Sequence, residues 1–270
     1  EDVINGTREK ILQEYRENVQ YRKPAFVLLG NAPASSMVGT DMEDAARGIR
    51  EIDGVPALAV DVTGFQSFDA GISQALLGMA KLLTEPCPTE KGTLNLLGGT
   101  ELDIGKGNME AVKAWCEAQG YTVLSVWGGK ETARNLRRAG AAEINLVVTE
   151  SGLAAARWMK EELGVPYVSG APFGKTNSEA LALGLRRKTQ PAAAEPNGER
   201  RALILAEQFT ARAIRETLQA DFGFGKVQVC SFLAVNRDCA QAEDKKLKSE
   251  AQLSALLAES REDLVIADPA

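Results

Sequence analysis

The sequence contains no histidine among its 270 residues. Histidine is the side chain that most often serves as a general base or as a metal ligand near neutral pH. A serine–histidine or cysteine–histidine nucleophile formed within this chain alone is therefore excluded.

Cysteine is scarce as well. The four cysteines, at positions 87, 116, 230 and 239, are too scattered for a disulfide framework and form no close CxxC pair. We predict reduced thiols, most of them buried, as free cysteines usually are. There is neither a signal-peptide pattern nor an apolar run long enough to cross a bilayer, so we expect a cytoplasmic protein with no membrane partner.

Clustered positive charge is also missing. The net charge is −6 and the sequence pI is about 5.1, and the basic run Arg186-Arg187-Lys188 is short. A nucleic-acid surface needs many clustered basic side chains to neutralise phosphates, so no nucleic-acid partner is expected. The remaining composition, with 44% hydrophobic and 25% charged residues, is typical of a globular protein.

Short aliphatic strand patterns alternate with helical patterns along the chain, which predicts parallel sheets with crossover helices. We predict an α/β fold of two to three doubly wound, Rossmann-like domains. The first, partial domain covers 1–88 and the middle domain 89–187, and a linker over 188–199 leads to a third, truncated domain over 200–270. Pro86 and Pro88 mark the first boundary, and a stretch rich in alanine and proline marks the linker.

Loops that follow strands are the candidate binding sites, because open parallel sheets bind ligands outside the carboxyl ends of their strands. The loops in question are 30–40, 61–71, 98–107, 127–130 and 169–176. Gly98 and Gly99 could begin a phosphate-binding turn, but the glycine spacing matches no nucleotide fingerprint and an ordinary strand-to-helix turn is the alternative. Asp61, Asp69 and Asp103 show no acid–base spacing, and we expect them to be solvated loop residues.

One of these loops carries a recognisable pattern. Residues 28–41 run from a strand through small residues that include Asn31, Ala32, Ser35 and Ser36, and then enter a helix. Thr40 and Glu43 have the spacing of a capping box at its start. The segment resembles that of nitrogenase component 1 proteins, in which a strand ends at Cys-Pro and continues into an Ile-Gly-Asp-Asp helix start. The family cysteine falls on Ala32.

Three further segments resemble the same family in the same order. Residues 2–12 resemble a Gly-Gly-Glu-Lys-Leu stretch that precedes the first strand. Residues 60–71, with Gly64, Phe65 and Ser67, resemble a Pro-Gly-Phe-x-Gly-Ser loop close to a cluster at the subunit interface. Residues 157–174 resemble a helix-to-strand segment of the middle domain, before which catalytic subunits carry the cysteine that holds the metal cofactor. That cysteine falls on Ala156, and the resemblance fades after about Lys175.

The resemblance implies an oxidoreductase subunit of the component 1 type. Such a subunit forms a homo-oligomer or a hetero-oligomer with a sister subunit and receives electrons from an ATP-dependent iron–sulfur reductase. It also implies an iron–sulfur cluster, lined by the positions that match the family motifs: Asn31, Ala32, Ser35, Ser36, Gly64, Phe65, Ser67 and Ala156.

The two alanines leave the family's ligand set incomplete, because a cluster iron needs a thiolate and a methyl group coordinates nothing. We therefore assign no metal ligand, no cofactor and no catalytic residue within the chain. Three functions stay open. The chain is an oxidoreductase subunit whose partner supplies the cluster ligands, a cluster-free subunit that binds a small molecule or serves as a scaffold for cofactor assembly, or a nucleotide- or sugar-binding protein.

Overall fold

The computed structural model describes residues 2–31, 41–60, 66–105 and 107–267, and these contain three separate parallel sheets. The strands are β1 (Val27–Gly30), β2 (Ala57–Val60), β3 (Glu90–Leu97), β4 (Thr122–Trp127), β5 (Ala142–Val147), β6 (Tyr167–Ser169), β7 (Arg200–Leu205), β8 (Phe224–Ser231), β9 (Lys245–Lys246) and β10 (Leu264–Ala267). The helices are α1 (Asp2–Val19), α2 (Met42–Asp53), α3 (Phe68–Leu83), α4 (Glu101–Ile104), α5 (Asn108–Ala118), α6 (Ala133–Arg138), α7 (Leu153–Leu163), α8 (Lys175–Arg187), α9 (Gln208–Phe222) and α10 (Glu250–Glu259). The predicted α/β class with parallel sheets is confirmed.

The first sheet consists of β1 and β2, which α1 and α2 cover. Leu12, Ala46, Ile49 and Ala57 form its buried core. Helix α2 begins at Asp41, whose carboxylate accepts a hydrogen bond from the N–H of Asp44 at 3.0 Å. The N-cap is therefore Asp41, one position after the threonine of the predicted capping box, and its oxygen satisfies the same kind of free N–H. Thr40 lies outside the described residues.

The middle sheet has the order β4-β3-β5-β6 and is covered on both faces, as expected for a doubly wound unit. On one face, Leu97, Trp127 and Val147 pack with residues of α3 and α7. On the other face, Leu96 and Ile144 pack with residues of α5 and α8. Helix α3 thus joins the core of the middle sheet, although the predicted boundary at 88 assigns it to the first domain.

The third sheet has the order β10-β7-β8-β9. Helix α9 packs on one face against Ile204, Val227 and Val229, and Leu203 and Leu247 lie in a smaller cluster against α10. The predicted domain limits at 88, 187 and 200 remain a prediction. Within the described ranges, no helix has both the length and the apolar character needed to cross a lipid bilayer.

A set of neutral polar side chains, here called the amide network, is buried inside the middle sheet. Asn95 donates to Oδ1 of Asn145 and to the carbonyl of Ala139, both at 2.8 Å. Ser125 donates to Oδ1 of Asn95 at 2.7 Å, and the indole N–H of Trp127 donates to the Ser125 hydroxyl at 2.8 Å. Side chains on three adjacent strands are therefore tied together where water is excluded, and this arrangement favours a single register.

Candidate functional site

Loops from all three sheet regions meet beyond the carboxyl ends of β3, β5 and β7. The backbone N–H of Glu150, after β5, donates to the carboxylate of Glu207, after β7, at 2.9 Å. The N–H of Ala234 donates to the carboxylate of Asp69, in the first turn of α3, at 2.7 Å. This junction lies where open parallel sheets commonly bind ligands.

Two glycines permit the close approach of the loops after β3 and β5. Gly98 has a φ of +87°, and a Cβ atom there would lie 2.5 Å from Oγ1 of Thr149 and 2.8 Å from the N atom of Gly152. A Cβ atom on Gly152 would in turn lie 2.6 Å from the carbonyl carbon of Leu97. Gly98 therefore has a packing role at the junction, in line with the strand-to-helix turn weighed above.

Four acidic side chains gather at the junction, and we name Asp69, Asp103, Glu150 and Glu207 the carboxylate cluster. Asp69 is 2% exposed and Glu207 is 8% exposed. Asp103, in α4, accepts hydrogen bonds from the hydroxyls of Thr100 and Ser151 at 2.9 and 3.4 Å. The expectation that Asp69 and Asp103 are solvated loop residues is therefore wrong. Asp69 is buried by a contact 165 residues away in sequence, and Asp103 is half-buried and hydrogen-bonded.

Burial raises the pKa of three members of this cluster. Desolvation is the largest cause for Asp103 and for Glu150, and the negative charge of Asp69 raises the pKa of both further. Burial also raises the pKa of Glu207, although the N–H groups of Thr210, Glu150 and Phe209 donate to its carboxylate. Oδ1 of Asp69 is buried and has no hydrogen-bond partner among the residues that the structure describes. Carboxyls whose burial is not fully offset by hydrogen bonds or by nearby positive charges are typical of functional sites.

An apolar cavity of about 330 Å³ is lined by neighbours of the carboxylate cluster, although none of the four carboxyls is itself in the lining. Trp115, Val148 and Phe173 are among its lining residues. Ile104, which follows Asp103, and Thr210, whose N–H donates to Glu207, also line it. The junction thus combines an apolar wall with nearby acidic groups, which is the usual make-up of a small-molecule site.

The thiols of the chain do not fit an iron–sulfur cluster. Burial raises the pKa of Cys116 to about 12 and also raises the pKa of Cys230, so both disfavour the thiolate that binds iron. Cys87 and Cys239 are partly exposed and lie far apart in sequence, and none of the four cysteines, which all fall within the described residues, forms a disulfide. In the described ranges, no three histidine, cysteine, aspartate or glutamate side chains are arranged to hold a metal ion.

The structure describes only three of the predicted site positions, Asn31, Ser67 and Ala156. Asn31 follows β1, and its buried Oδ1 finds no partner within the described ranges. Ser67 is the residue before α3, with an extended φ of −63° and ψ of 151°. Ala156 lies on α7 and is fully buried in the apolar core between that helix and the middle sheet. The other predicted positions, Ala32, Ser35, Ser36, Gly64 and Phe65, lie outside the described residues, as does Asp61.

Glu150 and Glu207 were not anticipated from the sequence. Each stands a few residues after a strand, β5 or β7, so the rule that selected the other loops applies equally to theirs. Glu207 also precedes α9 and accepts from the N–H groups of Phe209 and Thr210 at 2.9 Å. A glutamate directly between a buried strand and a helix was the available signal.

Comparison with known proteins assigns the chain to a family. The sequence profile of the nitrogenase component 1 type oxidoreductases matches residues 1–239. The nitrogenase iron-molybdenum cofactor biosynthesis protein NifE of Methanosarcina barkeri is 24% identical over 200 residues, which cover 69% of this chain and 42% of that protein. The NifE protein of Klebsiella pneumoniae is 28% identical over 67% of this chain and 42% of its own length.

A second kind of relative is similar at the same level. One subunit of the light-independent protochlorophyllide reductase of Roseobacter denitrificans is 25% identical over 64% of this chain and 34% of its own length. The chain thus spans less than half the length of these relatives. A solved structure described as nitrogenase Cp1 at pH 6.5 covers 99% of this chain with a TM-score of 0.63 and 14% identity, and 64% of that protein is matched. At this identity the structural likeness supports the fold alone.

Proposed function

The chain belongs to the family of nitrogenase component 1 type oxidoreductases, and we propose that it is a component 1 subunit that binds the substrate but does not hold a complete metal cluster. A sister subunit supplies the cluster ligands, and an ATP-dependent iron–sulfur reductase supplies electrons to the complex. We expect the complex in the cytoplasm, since a few scattered thiols are typical of a reducing compartment.

The main support for this proposal is the kind of side chain at the junction that could bind a metal. The groups that gather there are carboxyls, whereas iron in a cluster needs thiolates, and the thiols Cys116 and Cys230 are buried in the hydrophobic cores of the middle and third sheets. The chain contains no histidine that could take the place of a thiolate. An apolar cavity beside acidic groups suits an organic substrate better than it suits an inorganic cluster.

The residues at the junction would bind the substrate and provide protons. Trp115 and Phe173 offer aromatic faces for the apolar body of a substrate. A substrate that gains electrons also takes up protons, and burial raises the pKa of Asp103 and of Glu207, so each takes up a proton more readily than an exposed carboxyl does. These carboxyls, next in sequence to Ile104 or hydrogen-bonded to Thr210 of the cavity wall, would therefore act as proton donors from behind that wall.

Metal analysis of the chain alone and in its complex tests the proposal. Both would be purified without oxygen, and iron and acid-labile sulfide would be measured together with optical and EPR spectra. We expect the isolated chain to be free of iron and the complex with the sister subunit to contain iron and sulfide. A cluster signal from the isolated chain would contradict the division of roles, and an iron-free complex would contradict the oxidoreductase proposal.

The second candidate function is that of a cluster-free subunit that binds a small molecule or serves as a scaffold for cofactor assembly. The similarity to two NifE proteins, which are named for cofactor biosynthesis, favours this candidate. The two functions differ in whether the complex accepts electrons from the reductase. ATP-dependent oxidation of the reductase by the complex and its substrate would favour the oxidoreductase, and an inert, iron-free complex would favour the scaffold.

A further inference from the structure

A second cavity, of about 460 Å³, opens between α8 and α9. The segment 190–194 and the turn 239–241 complete its wall. Ala213 borders both this cavity and the apolar cavity at the junction, so the two are neighbours, but their linings differ in chemistry. This second cavity is lined by the charged side chains of Arg212, Arg215 and Glu216.

Arg212 presents a guanidinium group at the cavity. Its Nη2 donates to the Ser169 hydroxyl at 3.3 Å and also to the Ser169 carbonyl, and its guanidinium carbon lies 5.2 Å from the centre of the Phe209 ring. In the described part of the chain, no carboxylate lies within ion-pair distance of this group. Burial lowers the pKa of Arg212, but an arginine stays protonated in proteins. The negative charges of Glu216 and Glu207 act on this partly buried guanidinium from beyond ion-pair distance, so the described carboxylates compensate its charge only in part.

Arg215 adds an unmet donor one helical turn further along α9. It is 2% exposed, and its Nη1 pairs with the carboxylate of Asp244 at 2.7 Å. Its buried Nε has no acceptor among the described residues. A buried donor without an acceptor is costly, so an acceptor from a ligand would stabilise this wall of the cavity.

Glu216 limits the charge of that ligand. It is 8% exposed and accepts a hydrogen bond from the N–H of Ala194, which fixes the segment 190–194 against α9. Its negative charge on the cavity wall would repel a dianion. The remaining lining includes small apolar groups, among them Ala180, Leu181, Pro191 and Ala240.

From these features we propose that the cavity between α8 and α9 binds a monocarboxylate with an aliphatic body. The guanidinium of Arg212 would pair with the carboxylate, a combination whose planar groups match each other. The alanine and proline side chains would pack against the aliphatic part. This site is separate from the junction, and the proposal does not depend on the function proposed above.

Calorimetric titration of the full chain with hexanoate tests the site, with 1-hexanol and hexylamine as neutral and cationic ligands of equal length. We expect hexanoate to bind and the alcohol and the amine to bind at least about tenfold more weakly. Arg212→Gln should weaken hexanoate binding by about tenfold or more, because the charge-assisted hydrogen bonds are lost. Arg187→Gln, at an exposed position of α8 outside the cavity lining, is the matched control and should bind as the unchanged chain does.

A second variant keeps the test decisive if Arg212→Gln does not fold, as circular dichroism would show. Ala180→Leu fills part of the cavity without touching a charged group and should also abolish hexanoate binding. Equal affinity for hexanol and hexanoate would overturn the proposal, as would hexanoate binding retained by folded Arg212→Gln or by Ala180→Leu. No heat of binding for hexanoate with the unchanged chain would overturn it too.

Discussion

The amide network in the middle sheet and the carboxylate cluster at the junction are both buried and polar, yet they differ in how well their atoms are paired. In the network, Asn95, Ser125 and Trp127 make side-chain hydrogen bonds of 2.7 to 2.8 Å. In the cluster, Oδ1 of Asp69 has no partner within the described ranges, and burial raises the pKa of Asp103.

This difference separates two uses of buried polarity. A neutral network whose donors meet acceptors stabilises one arrangement of strands and is costly only when it is broken. A group of carboxyls under mutual repulsion costs free energy in the folded protein, and such a cost is typical of sites that bind ligands or move protons. We therefore assign the network to the stability of the fold and the cluster to its function.

The largest effect is expected when the amide network is cut at its centre. Asn95→Ala removes the partner of the Asn145 amide oxygen, the Ala139 carbonyl and the Ser125 hydroxyl, and all three hydrogen bonds are buried. Because each of the three buried polar groups left unpaired costs at least about 1 kcal/mol, the free energy of unfolding should fall by roughly 3 kcal/mol or more. Urea denaturation followed by circular dichroism measures this change.

An exposed asparagine provides the control for that substitution. Asn18 lies on α1, where its amide donates to the carbonyl of Glu14. Asn18→Ala should change the free energy of unfolding by no more than about 0.5 kcal/mol, as surface substitutions usually do. If Asn95→Ala cost no more than Asn18→Ala, the network would not contribute to stability as we argue.

A smaller effect is expected in the carboxylate cluster. Glu207→Ala removes the acceptor for the N–H groups of Glu150, Phe209 and Thr210 and with it the cap of α9. The loss is partly offset, because a buried carboxyl is removed as well. The free energy of unfolding should fall by about 1 kcal/mol, within the usual range for a lost helix cap.

Glu179→Ala, at an exposed position of α8, is the control for Glu207→Ala and should have little effect in the same urea titration. A loss for Glu207→Ala as large as that for Asn95→Ala would remove the contrast between the two buried groups. The carboxylate cluster would then have to be regarded as part of the structural core.

Most of the fold could be predicted from the sequence, because the patterns that determine it are local. The aliphatic run at 57–60, between turn residues, predicts a strand, and β2 is found there. Helix α8 was not predicted. Its first turn follows Gly174, which provides no side-chain cap hydrogen bond, so the usual starting signal is missing.

The candidate site was predictable only as a set of loops. The carboxyl-end rule selected 61–71 and 98–107, which contain Asp69 and Asp103, but it could not show which acids are buried. The burial of Asp69 depends on a contact with Ala234, at a distance of 165 residues in sequence. Packing between distant regions leaves no local pattern, so the exposure of these acids could be learned only from the structure.

The smallest predicted effect concerns the pH dependence that the carboxylate cluster should confer. Burial, followed by the charge of Asp69, raises the pKa of Glu150 above its ordinary value of 4.5. A carboxyl with a raised pKa stabilises the folded protein below its unfolded pKa, and that contribution is lost as the pH rises through the folded pKa. Glu150→Gln keeps the shape of the side chain but cannot ionise, so the Glu150 contribution to the loss of stability at rising pH is removed.

Urea titrations between pH 4.5 and 7.5 should therefore show a weaker decline of stability for Glu150→Gln than for the unchanged chain, with a small gain in the free energy of unfolding at pH 7. Part of the decline should remain, because burial also raises the pKa of Asp103 and Glu207. Glu101→Gln, at an exposed position of α4, should leave the profile unchanged. Identical profiles for Glu150→Gln and the unchanged chain would mean that Glu150 is well solvated, and the cluster would then lose one of its four members.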